Sequence, residues 1–193
     1  MKNLSLLTRK ILALCGALVL AFLDQLFKYL VVIFISPMNL PQVEVIPGVL
    51  SLTYVDNPGI AWSMFMDHPE ILTILTAVLM LVLLVLFFTK FVRSGVLMVF
   101  LMLVLGGGLG NLADRVFRGS VVDYLTLEFI DFPVFNFADC LVVVGVLLTL
   151  VWVMFHWFKE DKTKLPEHAA ASTQADSGER ELVEKHSQED LDD

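Results

Sequence analysis

Four long apolar stretches constrain the fold of this chain more than any other feature of its sequence. A helix needs about 20 mostly apolar residues to cross a bilayer, and four segments meet that requirement. The composition agrees, because 57% of all residues are hydrophobic and the mean hydropathy is +0.77. We therefore predict an all-α membrane protein with four transmembrane helices in one domain, residues 1–158. The four segments are 11–33, 70–90, 95–113 and 137–158.

The last 35 residues differ sharply from this domain. Residues 159–193 contain 5 Lys and Arg residues against 11 Asp and Glu residues, and few large apolar side chains. Such a segment buries too little apolar surface to fold alone. We expect an acidic, disordered tail, and nothing in the chain indicates nucleic-acid binding.

Basic residues predict how the chain is oriented in the membrane. Lys and Arg concentrate in cytoplasmic loops near the ends of transmembrane helices, and residues 34–69 contain neither. Both termini are therefore expected in the cytoplasm, and segments 34–69 and 114–136 on the outer side. Basic residues lie before the first span, between the second and third, and after the fourth: Lys2, Arg9, Lys10, Lys90, Arg93, Lys159, Lys162 and Lys164.

The two outer segments contain patterns typical of β-strands. Apolar Leu50, Leu52 and Tyr54 alternate with polar residues in segment 43–55, where Pro47 and Gly48 mark a turn. Segment 120–132 is rich in β-branched and aromatic residues. We expect a small extracytoplasmic sheet; the sequence leaves open whether the two segments pair.

Three carboxylates fall near the outer ends of the third and fourth spans. A charged group near a bilayer is costly, so Asp114, Asp123 and Asp139 are candidate functional groups. Asp123 and Asp139 come from separate segments, and two close carboxylates can share a proton and activate a water. Asp139 also fits a plain helix cap with Asn136. Asp114 is most simply explained by an ion pair with its neighbour Arg115 at a helix end.

Other polar residues at the same level have structural explanations. Asp24 and Lys28 are four apart on one helix face, which favours an internal ion pair; the alternative function is to orient neighbouring groups. Asn57 and Gly59 fit a turn; alternatively, the side-chain amide of Asn57, which is both donor and acceptor, holds a substrate backbone. The glycine run 106–110 indicates close helix packing, and Asn111 lies on the same helix face as Asp114.

Five motifs together resemble the lipoprotein signal peptidases (signal peptidase II). They cover about residues 10–158 and are D-Q-x-x-K at 24–28, N-x-G-x-A at 57–61, GG-x-x-GN-x-x-DR at 106–115, V-V-D-Y at 121–124 and F-N-x-A-D at 135–139. The resemblance implies a bacterial aspartic endopeptidase of the cytoplasmic (inner) membrane, with four transmembrane helices and an extracytoplasmic β-cradle. It implies cleavage of diacylglyceryl-modified prolipoproteins just before the lipidated cysteine, and inhibition by globomycin.

The resemblance also assigns roles to residues. The catalytic aspartates of the family match Asp123 and Asp139, near the outer face. We expect no metal or cofactor, contact with membrane lipids, and a monomer. Ile60 and Trp62 depart from the residues common at those positions in the family. The residues that match supporting or substrate-binding positions are Asp24, Lys28, Asn57, Gly59, Asn111, Asp114, Arg115 and Asn136.

Two other functions are weighed against this one. A small proton-coupled membrane transporter would use carboxylates near the bilayer midplane and interrupted helices, whereas these acids lie toward one face. A non-enzymatic assembly protein would be indifferent to replacement of Asp123 or Asp139 by Asn.

Overall fold

The computed structural model describes residues 4–36, 42–59 and 68–156. Within those ranges four helices are long and apolar enough to cross a membrane, which confirms the prediction of four spans beside a small sheet. The tail from residue 159, together with Ile60 and Trp62, lies outside the described residues. The elements are α1 (Leu6–Phe34), β1 (Val43–Ile46), β2 (Leu50–Asn57), α2 (Pro69–Phe88), α3 (Gly95–Arg118), β3 (Val121–Leu127) and α4 (Phe137–His156).

Helix α3 is longer than the apolar stretch that predicts it. The apolar residues end near 113, but the helix continues through Asp114 and Arg115 to Arg118. It ends at Gly119, whose φ of 81° lies in the left-handed region that only glycine adopts at little cost. The Gly119 amide donates to the carbonyl of Arg115 at 3.2 Å. This tight stop directs the chain straight into β3.

Glycines let α3 pack closely against all three other helices. A Cβ on Gly106 would lie 2.8 Å from Leu20 Cβ of α1, and one on Gly110 would lie 2.5 Å from the Asp24 carboxylate. A Cβ on Gly107 would meet the carbonyl oxygen of Ala138 in α4, and one on Gly108 would meet Met80 of α2. The prediction that this run mediates helix packing is confirmed, and α3 is the central helix of the four.

The three strands form one antiparallel sheet in the order β1-β2-β3. A turn with Gly48 at φ 68° joins β1 to β2. Strand β2 pairs with β3, with Val55 opposite Asp123 and Asn57 opposite Val121. The pairing that the sequence left open therefore exists, and its register brings Asn57 close to Asp123.

The two faces of β3 have different environments. Val122 and Tyr124 are buried with Val31 near the end of α1, and side chains alternate along a strand, so Asp123 points to the opposite face. Within β3, Leu125 forms an antiparallel bridge with Phe135, which lies just before α4. The position of Asp123 is thus tied to the start of α4. The chain divides into two units, Met1–Thr149 and Leu150–Asp193, and every site residue belongs to the first.

Candidate active site

Asp123 and Asp139 line the same cavity, which has a volume of about 460 Å³. Asp123 lies in the middle of β3 and is 4% exposed. Asp139 lies in the first turn of α4. The fold thus brings together two carboxylates that the sequence placed on separate segments.

Three asparagines hold both carboxylates in place. Asn57 Nδ2 donates to Asp123 Oδ2 at 2.8 Å, and Asn136 Nδ2 donates to Asp123 Oδ1 at 2.7 Å. Asn111 Nδ2 donates to Asp139 Oδ1 at 2.7 Å, and the backbone N–H of Asn136 donates to Asp139 Oδ2 at 3.0 Å. Each carboxylate oxygen therefore accepts one N–H and keeps a second lone-pair direction for a proton or a water.

Asn136 is also the cap of α4. Its Oδ1 accepts from the backbone N–H of Asp139 at 3.0 Å, while its own backbone N–H donates to the Asp139 carboxylate. This reciprocal arrangement is a capping box. The predicted helix cap of Asn136 and Asp139 is therefore present. Asp139 also lines the cavity, and the side chain of Asn136 also donates to Asp123.

Burial changes the acidity of Asp123. Removal from water disfavours the charged form and raises the pKa of this carboxyl to about 6, and the nearby charge of Asp139 acts in the same direction. Hydrogen bonds from Asn57 and Asn136 favour the charged form and partly oppose the rise. Asp123 is thus able to hold a proton close to neutral pH.

A buried ion cluster lies behind the cavity. Lys28 Nζ lies 2.8 Å from Asp24 Oδ2 and 2.9 Å from Asp114 Oδ2, and none of the three side chains is more than 1% exposed. Asp24 Oδ1 accepts from the Ala138 amide at 3.0 Å. The predicted pair between Asp24 and Lys28 is present, and it also links α1 to the first turn of α4.

The predicted ion pair between Asp114 and Arg115 is wrong. Successive residues on a helix point about 100° apart, so Asp114 faces α1 while Arg115 faces the cavity. Asp114 is held by Lys28 and also accepts from the Val122 amide at 3.3 Å. Arg118, one turn further on, approaches Asp114 at 3.9 Å.

Asn57, Gly59 and Arg115 line the cavity on the side of β2. Asn57 Oδ1 accepts from the Gly59 amide at 3.0 Å, which leaves its NH₂ group directed to Asp123. The Arg115 guanidinium donates to the carbonyls of Gly59 and Asn111, both at 3.4 Å.

The sequence did not single out Gln25 or the apolar wall of the cavity. Gln25 Nε2 donates to the Gly110 carbonyl at 3.0 Å and to Asp114 Oδ1 at 3.1 Å. Its place as the Q of the motif at 24–28 was the signal that could have identified it. The wall could not be found from composition, because apolar residues are everywhere in this chain. It comprises Val121, Phe132, Pro133, Val134, Phe135, Cys140, Val143 and Val144.

The described residues include no group of three or more His, Cys, Asp or Glu side chains placed to hold a metal ion. The cavity instead combines two amide-held carboxylates, one guanidinium and an apolar wall. This set of groups is suited to acid–base chemistry on a largely apolar substrate.

Comparison with known proteins agrees with this geometry. The family model described as signal peptidase (SPase) II matches residues 16–155. The lipoprotein signal peptidase of Streptococcus thermophilus (strain CNRZ 1066) is 42% identical over 144 residues, which are 74% of this chain and 92% of that protein. The lipoprotein signal peptidase of Lactococcus lactis subsp. lactis (strain IL1403) is 39% identical over 147 residues, covering 76% and 95%.

A solved structure gives the same result. A bacterial membrane enzyme determined by the in meso method at 2.3 Å resolution superposes with a TM-score of 0.67 and 30% identity, over 74% of this chain and 87% of that one. These comparisons do not support a proton-coupled transporter. The chain belongs to the signal peptidase II family.

Proposed function

We propose that this peptidase is an aspartic endopeptidase that removes the signal peptide from diacylglyceryl-modified prolipoproteins, with Asp123 and Asp139 as its catalytic residues. One observation carries the proposal: two carboxylates line one cavity and each of their oxygens is held by an N–H group. The names of the relatives support the substrate class.

The proposed chemistry needs one proton on the pair. The ionised carboxylate takes a proton from a water, whose oxygen attacks the scissile carbonyl carbon, and the protonated carboxyl donates to the developing oxyanion. Breakdown of the tetrahedral intermediate cleaves the C–N bond, and the leaving amine takes the proton that the first carboxylate removed from the water. A hydroxyl of the intermediate returns a proton to the second carboxylate as the new carboxyl group forms. The raised pKa of Asp123, at about 6, supports a shared proton close to neutral pH. The two groups titrate as one coupled pair.

The walls of the cavity support a lipid-bearing substrate. Phe132 and Val134 line the cavity from the segment just before α4, and Val143 and Val144 line it from α4 itself. Val143 and Val144 are 56% and 47% exposed. Among the described residues, the cavity therefore opens toward a helix face that the bilayer would cover. An acylated cysteine would keep its chains in the membrane while the scissile bond reaches the carboxylates.

The proposed orientation places both termini in the cytoplasm and the cavity near the outer face of the cytoplasmic membrane. Lys10 Nζ donates to the Thr89 carbonyl at 2.7 Å, so the start of α1 meets the end of α2. Lys90 and Arg93 follow in the same link. These basic residues lie at the end of the helices away from Asp123 and Asp139, as expected for the cytoplasmic side. Arg115 and Arg118 are exceptions, and both have local partners.

The test is cleavage of a purified diacylglyceryl-modified prolipoprotein by the purified full chain, with and without globomycin. Asp123→Asn and Asp139→Asn should each reduce the rate at least ~10³-fold, because a concerted catalytic unit loses one member. Asp131→Asn is the matched control, since Asp131 is exposed in the loop between β3 and α4. Cleavage by either active-site variant at near the rate of Asp131→Asn would remove that residue from the site.

A further inference from the structure

We infer that Lys28 is a positioning residue for the proposed catalytic pair and that it acts through the side-chain amide of Asn111. Lys28 belongs to α1 and does not line the cavity. Its ammonium nevertheless lies 2.8 Å from Asn111 Oδ1, on the neighbouring helix α3. This inference rests on the proposed function of Asp139 and goes beyond it.

The ammonium of Lys28 has three N–H donors, and three acceptors surround it. These are Asp24 Oδ2 at 2.8 Å, Asp114 Oδ2 at 2.9 Å and Asn111 Oδ1 at 2.8 Å. The side chain is 1% exposed, so water does not compete for these donors. The two carboxylates fix the ammonium in space, and its third N–H is committed to Asn111.

This third hydrogen bond determines which way the Asn111 amide faces. An ammonium only donates, so the atom of Asn111 that faces Lys28 must be the oxygen. Asn136 Nδ2 donates to the same oxygen at 3.1 Å. The NH₂ group of Asn111 is consequently directed to Asp139 Oδ1 at 2.7 Å.

Reversal of that amide would damage the site. The Asn111 oxygen would then face the Asp139 carboxylate, and two acceptors would oppose each other without a proton between them. Without Lys28, the free carboxylates of Asp24 and Asp114 would attract the Asn111 NH₂ group away from Asp139. Lys28 therefore keeps a donor on Asp139 while touching neither the cavity nor the catalytic carboxylates.

An ion pair made only for stability does not explain this contact. Lys28 with Asp24 and Asp114 already leaves one net negative charge, and a third acceptor adds nothing to neutralisation. A structural role predicts a loss of folded protein, whereas a positioning role predicts a loss of kcat that requires Asn111. The two roles are separable by experiment.

The test measures kcat, KM and thermal unfolding on the full chain with a diacylglyceryl-modified prolipoprotein. Lys28→Met leaves two carboxylates unpaired, so it is made together with Asp24→Asn, which restores the net charge and keeps an oxygen for the Ala138 amide. The Lys28→Met/Asp24→Asn double variant should have a kcat about 10²-fold lower than Asp24→Asn alone, the size expected for a misplaced group. KM should change by less than about twofold.

Coupling to Asn111 is the decisive measurement. In an Asp24→Asn/Asn111→Ala background, Lys28→Met should change kcat by less than about threefold, because the amide through which it acts is already gone. Lys10→Met is the matched control: Lys10 is another buried lysine of α1, and its ammonium donates to the Thr89 carbonyl. This control should keep the wild-type kcat.

Three results would overturn the inference. They are equal losses of kcat with and without Asn111, a rise in KM at constant kcat, and failure of the Lys28→Met/Asp24→Asn protein to fold when Lys10→Met folds. None of them affects the proposed function, which fails instead if the wild-type chain leaves the precursor intact or if Asp139→Asn cleaves it normally.

Discussion

Gly107→Ala should strongly slow cleavage, while the same change at Gly108 should not. A Cβ on Gly107 would meet the backbone carbonyl of Ala138, and the side chains of Leu141 and Val142 close the same space. A C···O contact needs about 3.3 Å or more, so the first turn of α4 must move on the order of 1 Å. That turn carries Asp139.

The size of the effect follows from this displacement. A misplacement of about 1 Å costs roughly 10²-fold in rate, and overpacking costs about 1–3 kcal/mol of stability. Replacing glycine by alanine in a helix itself stabilises the folded state by up to ~1 kcal/mol. We expect kcat about 10²-fold lower for Gly107→Ala, with a net destabilisation of about 0–2 kcal/mol.

Gly108→Ala is the matched control. Its Cβ would meet the sulfur and terminal methyl of Met80, the far end of a flexible side chain that can take another rotamer. Its kcat should stay within about threefold of wild type and its unfolding temperature should not fall. The assay is prolipoprotein cleavage beside thermal unfolding in one detergent. Wild-type kcat and stability for Gly107→Ala would refute the claim that α3 positions Asp139 through this contact.

Three further predictions concern the carboxylates. The Asp123→Asn/Asp139→Asn double variant should cleave little more slowly than either single variant; multiplicative losses would contradict a shared-proton pair. In the proposed mechanism kcat/KM falls as rising pH removes the shared proton, and the pKa of Asp123 is about 6. Asn57→Ala removes a hydrogen bond that lowers this pKa, so the high-pH limb of the kcat/KM profile should move to higher pH. A limb that stays in place or moves to lower pH would argue against Asp123 as the group that carries the proton. Asp114→Asn weakens the hydrogen bonds of Asp114 with Lys28 and the Val122 amide, while Lys28 stays paired with Asp24. The free energy of unfolding should therefore fall by about 1–2 kcal/mol, measured by denaturant unfolding. Wild-type stability with no activity would make Asp114 a candidate for the catalytic pair.

Hydropathy and strand patterns predicted most of the fold. The four spans and both strand segments follow from the solvent preference of each side chain, which is local information. The end of α3 was placed near 113 because apolar residues stop there, yet the helix continues to Arg118. Polar residues extend a helix beyond the bilayer core when they find partners, as Asp114 does with Lys28.

The contacts of the site were less predictable than its members. Motifs gave Asp123, Asp139 and their supporting residues, but not which side chains touch. Helix geometry alone points Asp114 and Arg115 about 100° apart. The rotation of α3 about its axis then decides that Asp114 faces Lys28 of α1, and close packing of the glycine run restricts that rotation. The donation from Lys28 to Asn111 depends on the same rotation, so no spacing along the chain reveals it.

Val143 and Val144 affect how the activity of this enzyme must be measured. They line the cavity and are about half exposed on α4, and in the proposed function the substrate enters from the lipid phase. Enzyme and precursor then meet in two dimensions, and the relevant concentration is the mole fraction of precursor in the bilayer or micelle. Added detergent at fixed total substrate should slow cleavage by surface dilution. A competitive inhibitor should gain apparent potency with its lipid–water partition coefficient, even when its contacts with the protein are unchanged.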